Sequence, residues 1–249
     1  MNVARDRYLW NAGEDTIHDP SKEQKITTKK QKRENFWFYH KWHIVICVVC
    51  AALVSLFLYD MFHKENPDYE IAFLTDSAYM ETDIERIRTQ IASVADDRNG
   101  DGQVLVTINE YTISGSGNGQ IEMATMAQVM NDLSSFESVI YIMDDNNLAS
   151  QQSQNPGMFA YADGSTPPED ATDYSNIGIL WKDCPLLTSI DLTSEIQVGD
   201  GETQTIDSQK VFEKLRVCIR SKNFDESDTE TAQKYEDNWN LYQKITGNA

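Results

Sequence analysis

With 40 Asp and Glu against 21 Lys and Arg, the 249-residue chain carries a formal net charge of −19, a sign that repels nucleic acid. Its four histidines, His18, His40, His43 and His63, all precede residue 64. The long C-terminal part is therefore without Ser-His-Asp or Cys-His catalysis and without His-built zinc sites, and its two cysteines are too few for a Cys₄ site.

The chain opens on a polar stretch, Met1 to Glu34, with no helical or strand period, which reads as disordered. The apolar run that follows is bounded by Trp42 and Phe62, and Ile44 to Tyr59 holds no charge. With its flanks it is long enough for a hydrocarbon core that takes about 20 helical residues. Ser55 is the single polar residue from Ile44 to Leu58, so a polar face for a buried soluble helix is missing. A long polar stretch before the run and no A-x-A-like cleavage site after it argue against a cleaved signal peptide.

Before Trp42 there are nine Lys or Arg and six Asp or Glu; from His63 onward there are twelve and thirty-three. Lys25, Lys29, Lys30, Lys32, Arg33 and Lys41 lie close to the run. By the positive-inside rule the N-terminus is expected in the cytoplasm and the C-terminal part outside the cell membrane. Phe36 to Tyr39 and Trp42 would form the inner aromatic belt. The expected organisation is a cytoplasmic tail over 1–41, a transmembrane helix over 42–62, a linker over 63–68 and an extracellular domain over 69–249. Cys47 and Cys50 have C-x-x-C spacing, but inside an apolar span they read as small interfacial residues or a lipidation site.

The outer part alternates. Tyr69 to Asp76 is a strand; Thr82 to Glu85 is a capping box opening a helix with Ile84, Ile87, Ile91 and Val94 on one face. Gln103 to Ile113 is a second strand, Gln120 to Phe136 a second helix whose face of Met123, Met126, Ala127, Met130 and Leu133 reads as core. Ser138 to Asp145 is a third strand. Asn146 to Asn176 is polar and irregular. Ile177 to Trp181 and Leu215 to Arg220 read as further strands, Leu186 to Asp207 as a hairpin around Gly199 to Gly201, and Thr229 to Ile245 as a closing helix. The alternation predicts an α/β fold: one three-layer domain with a mostly parallel sheet of about five strands, preceded by the transmembrane helix.

Two segments together carry a resemblance. Asn35 to His43 (NFWFYHKWH) and Asp96 to Gly102 (DDRNGDG) resemble a group of uncharacterised single-pass proteins from Gram-positive anaerobes, which implies topology and no activity. The β-α-β-α-β opening is also loosely similar to the first lobe of extracellular solute-binding proteins, although the chain is too short for two such lobes.

Three candidate sites emerge. Asp97, Asn99 and Asp101 have the D-x-N-x-D-G spacing of a calcium loop, with the Gln103 carbonyl as a further Ca²⁺ ligand. The usual distal Glu is replaced by Ile108, and a polar turn explains the same residues. At the carboxyl edge of a parallel sheet, where ligands collect, the sequence places Asp76 and Tyr79, Glu110 and Tyr111, and Asp144 and Asp145. They read as an acidic and aromatic rim or as solvated strand ends. Cys184 and Cys218 lie where a disulfide persists, or are two buried thiols. The Gly115 to Gly119 loop has neither G-x-G-x-x-G spacing nor a P-loop lysine and reads as a linker.

No catalytic motif is found: G-x-S-x-G, H-E-x-x-H and Walker loops are all absent. The expectation is a non-enzymatic, membrane-anchored binding or interaction module. Its partners would be membrane lipid, through the helix, and a membrane or envelope protein. A solute-binding domain using the rim and a glycan hydrolase using two carboxylates are the alternatives.

Overall fold

The computed structural model describes residues 28–62, 66–115, 119–198, 202–225 and 227–248. The chain divides into two compact units, Met1–Glu65 and Asn66–Ala249.

The first unit contains α1, Lys29–Phe62, a continuous helix of 34 residues. Its apolar side chains, among them Val48, Leu53, Leu56 and Phe57, are exposed within the unit. The helix is long and apolar enough to cross a membrane. It begins earlier than the sequence predicts, because Thr28 and Gln31 form a capping box. The Gln31 N–H donates to Thr28 Oγ1 at 3.3 Å, and the Thr28 N–H donates back to Gln31 Oε1 at 3.4 Å. Lys29 to Glu34 are thus helical and not disordered; the expected disorder before Thr28 lies outside the described residues.

The second unit is α/β. In chain order it contains β1 (Tyr69–Thr75), α2 (Glu81–Ala92), β2 (Val106–Thr112), α3 (Gly119–Ser135), β3 (Ile140–Met143) and α4 (Asp145–Gln154). Then follow β4 (Ile179–Leu180), α5 (Pro185–Thr188), β5 (Thr193–Val198), β6 (Glu202–Asp207), α6 (Gln209–Phe212), β7 (Arg216–Ile219) and α7 (Thr229–Thr246). Five strands form one sheet in the order β2-β1-β3-β7-β4, and β5 and β6 pair separately.

Strand alternation sorts the core into two layers. Tyr69, Ile71 and Phe73 of β1 pack with Ile84, Ile87 and Ile91 of α2 and with Tyr235, Tyr242 and Ile245 of α7. Ala72 and Leu74 face the other way, onto Val129 and Leu133 of α3 and Leu148 of α4. Helices on both faces of a sheet that starts 2-1-3 follow from right-handed crossovers.

The sheet is mixed, not mostly parallel. β1 runs parallel to β2 and β3, but β7 is antiparallel to both β3 and β4. A parallel return needs a crossover, usually a helix of several turns. Between β4 and β7 the helices α5 and α6 have four residues each, and the chain re-enters the sheet where it left. The Trp181 N–H after β4 donates to the Leu215 carbonyl before β7, at 2.8 Å.

Other expectations shift for local reasons. α2 starts at Glu81 with Met80 as its cap and no side-chain cap bond, so Thr82 sits inside the first turn and the expected capping box is not formed. The irregular stretch after β3 begins with α4, capped by the Asp144 side chain on the Asn147 N–H at 2.9 Å. The methionine face of α3 is not core. Met123 is 75% and Met130 42% exposed, while Val129, Asp132 and Leu133 are buried. The expected hairpin is present as β5 and β6, with its turn outside the described residues.

Gly178, just before β4, has φ +62°, and a β-carbon there would lie 2.5 Å from the Val217 carbonyl oxygen and 2.7 Å from Cys218 Sγ. Gly178→Ala combines a left-handed conformation with overpacking and should cost about 3 kcal/mol. A thermal melt of the full chain in detergent micelles should show this as a drop of about 8 °C.

Candidate functional site

The carboxyl edge of the sheet brings four of the six rim residues together. Asp76 follows β1 and Asp144 follows β3, the two strands between which the order reverses. The Asp76 N–H donates to Asp144 Oδ2 at 2.9 Å, and the same carboxylate accepts from the Asn147 backbone and side chain at 2.9 and 2.8 Å. Asp145 Oδ1 meets Arg216 Nε at 2.6 Å, and the Arg216 guanidinium also donates to the Ser175 carbonyl at 2.9 Å. Tyr79 stacks on Phe212 with ring centres 4.6 Å apart and meets the Phe73 edge at 5.5 Å. Burial, with Asp76 and Asp144 adding to it, pushes its phenol up to about 12.

Glu110 and Tyr111 do not join this group. They are successive residues of β2 and point to opposite faces. Glu110 pairs in register with Phe73 on the α2 face; partial burial and the neighbouring Glu81 raise its pKa, with Arg88 opposing. Tyr111 faces α3 and donates to Asp132 Oδ2 at 3.0 Å.

Asp132 is the polar centre that the sequence reading missed. It is fully buried and accepts from the Ser138 N–H at 3.1 Å, Ser138 Oγ at 2.7 Å, Tyr111 and the Tyr141 hydroxyl. Four donors satisfy a carboxylate that would otherwise be costly to bury. The turn after α3 makes this geometry: Phe136 has φ 55°, and the Glu137 N–H returns to the Asp132 carbonyl at 3.1 Å. That is a helix stop usually given to glycine. Arg220 lies over the Phe136 ring at 4.3 Å and donates to the Leu133 carbonyl at 2.9 Å. Burial pulls the Arg220 pKa down, opposed by Tyr141 and Asp132. Burial, then Asp132, raises the phenols of Tyr111 and Tyr141 well above their ordinary value.

In the Asp97 to Gln103 loop the side chains bind the loop's own backbone. Asp97 accepts from the Gly100 and Gly102 N–H at 2.7 and 2.9 Å, Asn99 Oδ1 from Asp101 at 2.8 Å, and Asp101 Oδ1 from the Gln103 N–H at 2.8 Å. Buried Asp68 ties the loop to β1, accepting from Arg98 at 2.8 Å, Asn99 at 3.1 Å and Leu105 at 2.8 Å. No group of three or more His, Cys, Asp or Glu side chains suited to a metal ion is assembled among the described residues.

Cys184 and Cys218 are free thiols, both buried, and are not bridged. Cys184 belongs to the core under α7 and Cys218 to the core under α3, so the sheet separates them. Burial pushes both thiols up to about 12, far from the reactive thiolate range.

A second carboxylate pair lies on the α3 face. Glu70 of β1 lies beside Glu137, and Asn109 Nδ2 donates to Glu70 at 3.4 Å. Burial first, then the Glu137 charge, raises the Glu70 pKa, and half-buried Lys234 opposes this. No family model, curated protein or solved structure matches the chain.

Two outcomes follow from these carboxylates. Asp132→Ala leaves Tyr111, Tyr141 and Ser138 without their acceptor, and calorimetry of the full chain should show a loss of about 3 kcal/mol. A raised Glu70 pKa stabilises the fold below the ordinary glutamate range, and that stability is lost as pH rises through the folded pKa. Glu137→Gln removes the like charge, so it should raise the melting temperature at pH 7 by about 2 °C and have a smaller effect at pH 4.

Proposed function

We propose that this chain is a single-pass membrane protein with a cytoplasmic N-terminus, presenting an acidic α/β domain outside the cell that works by binding a membrane or envelope protein and not by catalysis. The observation that carries this reading is how the rim carboxylates are used. Asp144 caps α4 and holds the Asp76 backbone, Asp145 is paired with Arg216, and half-buried Tyr79 is stacked on Phe212. A solute-binding cleft needs polar groups that converge on open space, whereas these converge on one another. The charge asymmetry about α1 supports the orientation.

The hydrolase alternative is poorly served by the same geometry. Glycoside cleavage needs two carboxylates about 5 to 10 Å apart across the scissile bond. The Glu70 and Glu137 carboxylates are immediate neighbours, which is not the spacing of a pair set across a sugar.

Protease added to intact cells should remove the C-terminal domain and spare an N-terminal tag. A membrane-impermeant amine cross-linker should then shift the surface-held chain into a discrete heavier species. Protection of the C-terminal domain overturns the orientation, and a chain that stays at its own mass overturns the interaction reading.

A further inference from the structure

The sheet ends at β2 on one side and at the two-residue β4 on the other. No described residue pairs with the far side of β2. The ladder to β1 fixes which backbone groups face outward. The Leu105 carbonyl accepts from Tyr69 at 3.3 Å, and the Ile113 N–H donates to Thr75 at 2.9 Å. Backbone bonding alternates along a strand, so Leu105, Thr107, Asn109, Tyr111 and Ile113 serve β1. The N–H and C=O groups of Val106, Ile108, Glu110 and Thr112 then point away from the sheet.

An open groove runs beside this edge. It has a volume of about 550 Å³ and is lined by Asn109, Glu110 and Tyr111 of β2, by Gln128 and Asn131 of α3, and by Glu137. Along α3, Ile121, Thr125, Gln128 and Asp132 succeed one another at helical spacing on one flank. Asp132 is bonded to Tyr111 of β2, so that flank faces the edge strand. Ile121, at the open end, is 65% exposed. An unpaired backbone ladder thus lies next to a wall with an apolar end.

Charge selects the occupant. The carboxylates beside the edge lie on both of its faces: Glu110 points to the α2 face, and Glu137, with Glu70 beside it, lies on the α3 face with the groove. The cations that reach these groups come from outside the groove: Arg88 is paired with Glu85 at 2.8 Å, and Lys234 is half-buried on α7. A second copy of the chain would bring the same carboxylates to the interface, where like charges are costly.

We propose that the β2 edge takes an extended segment of a partner protein as an added strand, with its Lys or Arg side chains on the α2 face against Glu110 and its alternate β-branched side chains against the α3 flank. Main-chain pairing would supply affinity and the carboxylates would supply choice, as in other strand-addition modes. The inference rests on the interaction reading above and gives it a location and a partner chemistry.

Thr112→Pro is the discriminating variant. It removes an outward N–H from an edge strand without touching a bond to β1, a position where proline is tolerated. A displayed random nonapeptide library panned on the full chain in detergent micelles should enrich alternating β-branched and Lys or Arg residues. The enriched peptide should bind Thr112→Pro about tenfold more weakly and Glu110→Gln about threefold more weakly. Methylating its alternate backbone nitrogens should abolish binding to the unaltered chain, a readout independent of how well the variant folds. Equal enrichment on the chain and on Thr112→Pro, acidic or purely apolar winners, or indifference to methylation each overturn the proposal. A dimer of the chain that Thr112→Pro splits overturns it in favour of self-pairing. If the cross-linked species on cells survives Thr112→Pro, the edge is not its contact and the interaction reading stands. If the unaltered chain gives no such species, the interaction reading itself fails.

Discussion

The reversal of β7 decides most of what happens at both ends of the sheet. Because β7 lies antiparallel between β3 and β4, its first residue, Arg216, stands opposite Met143 at the carboxyl edge. There it neutralises Asp145. Its far end delivers Arg220 to the opposite edge, over Phe136 and near Asp132. Run in the parallel direction, the same strand would exchange the two arginines, and Arg216 would no longer stand beside Asp145. One strand direction thus converts a candidate binding rim into a structural joint.

The second joint is Asp132. A carboxylate buried this deeply is tolerable only when donors surround it, and those donors come from three places: Tyr111 on β2, Tyr141 on β3 and Ser138 in the turn between α3 and β3. The rotation of α3 follows from that requirement. With Asp132 facing inward, Val129 and Leu133 share the buried side, and Met123 and Met130 are carried outward. A polar contact, not the methionine stripe, sets which face of this helix the protein buries.

These two joints explain what the sequence made legible. The β-α-β-α-β opening, the long apolar helix and the closing helix were readable because their apolar periods match the elements that form. Strand direction was not, since it depends on whether the 35 or so residues between β4 and β7 contain a crossover helix, and short polar segments do not announce this. The rim was read as three pairs of strand-end residues. Its fate depended on long-range partners, Arg216 for Asp145 and the Asp76 backbone for Asp144, that no local spacing reveals. The Thr28 to Gln31 capping box is written in four adjacent residues and starts α1, yet the polar stretch around it hides the helix and reads as disordered.

Among the described residues nothing pairs with the far side of β2. Sheets generally protect such edges with charge, proline, a bulge or a covering segment. β2 contains no proline, and Glu110 is its single charged residue. That glutamate guards poorly against a cationic strand, because it is the residue such a strand would seek. It guards well against another copy of this acidic domain. Under the proposed strand addition, an edge defended by one carboxylate and flanked by others would reject itself and admit a basic partner, which would make selectivity, and not mere exposure, the property that β2 contributes.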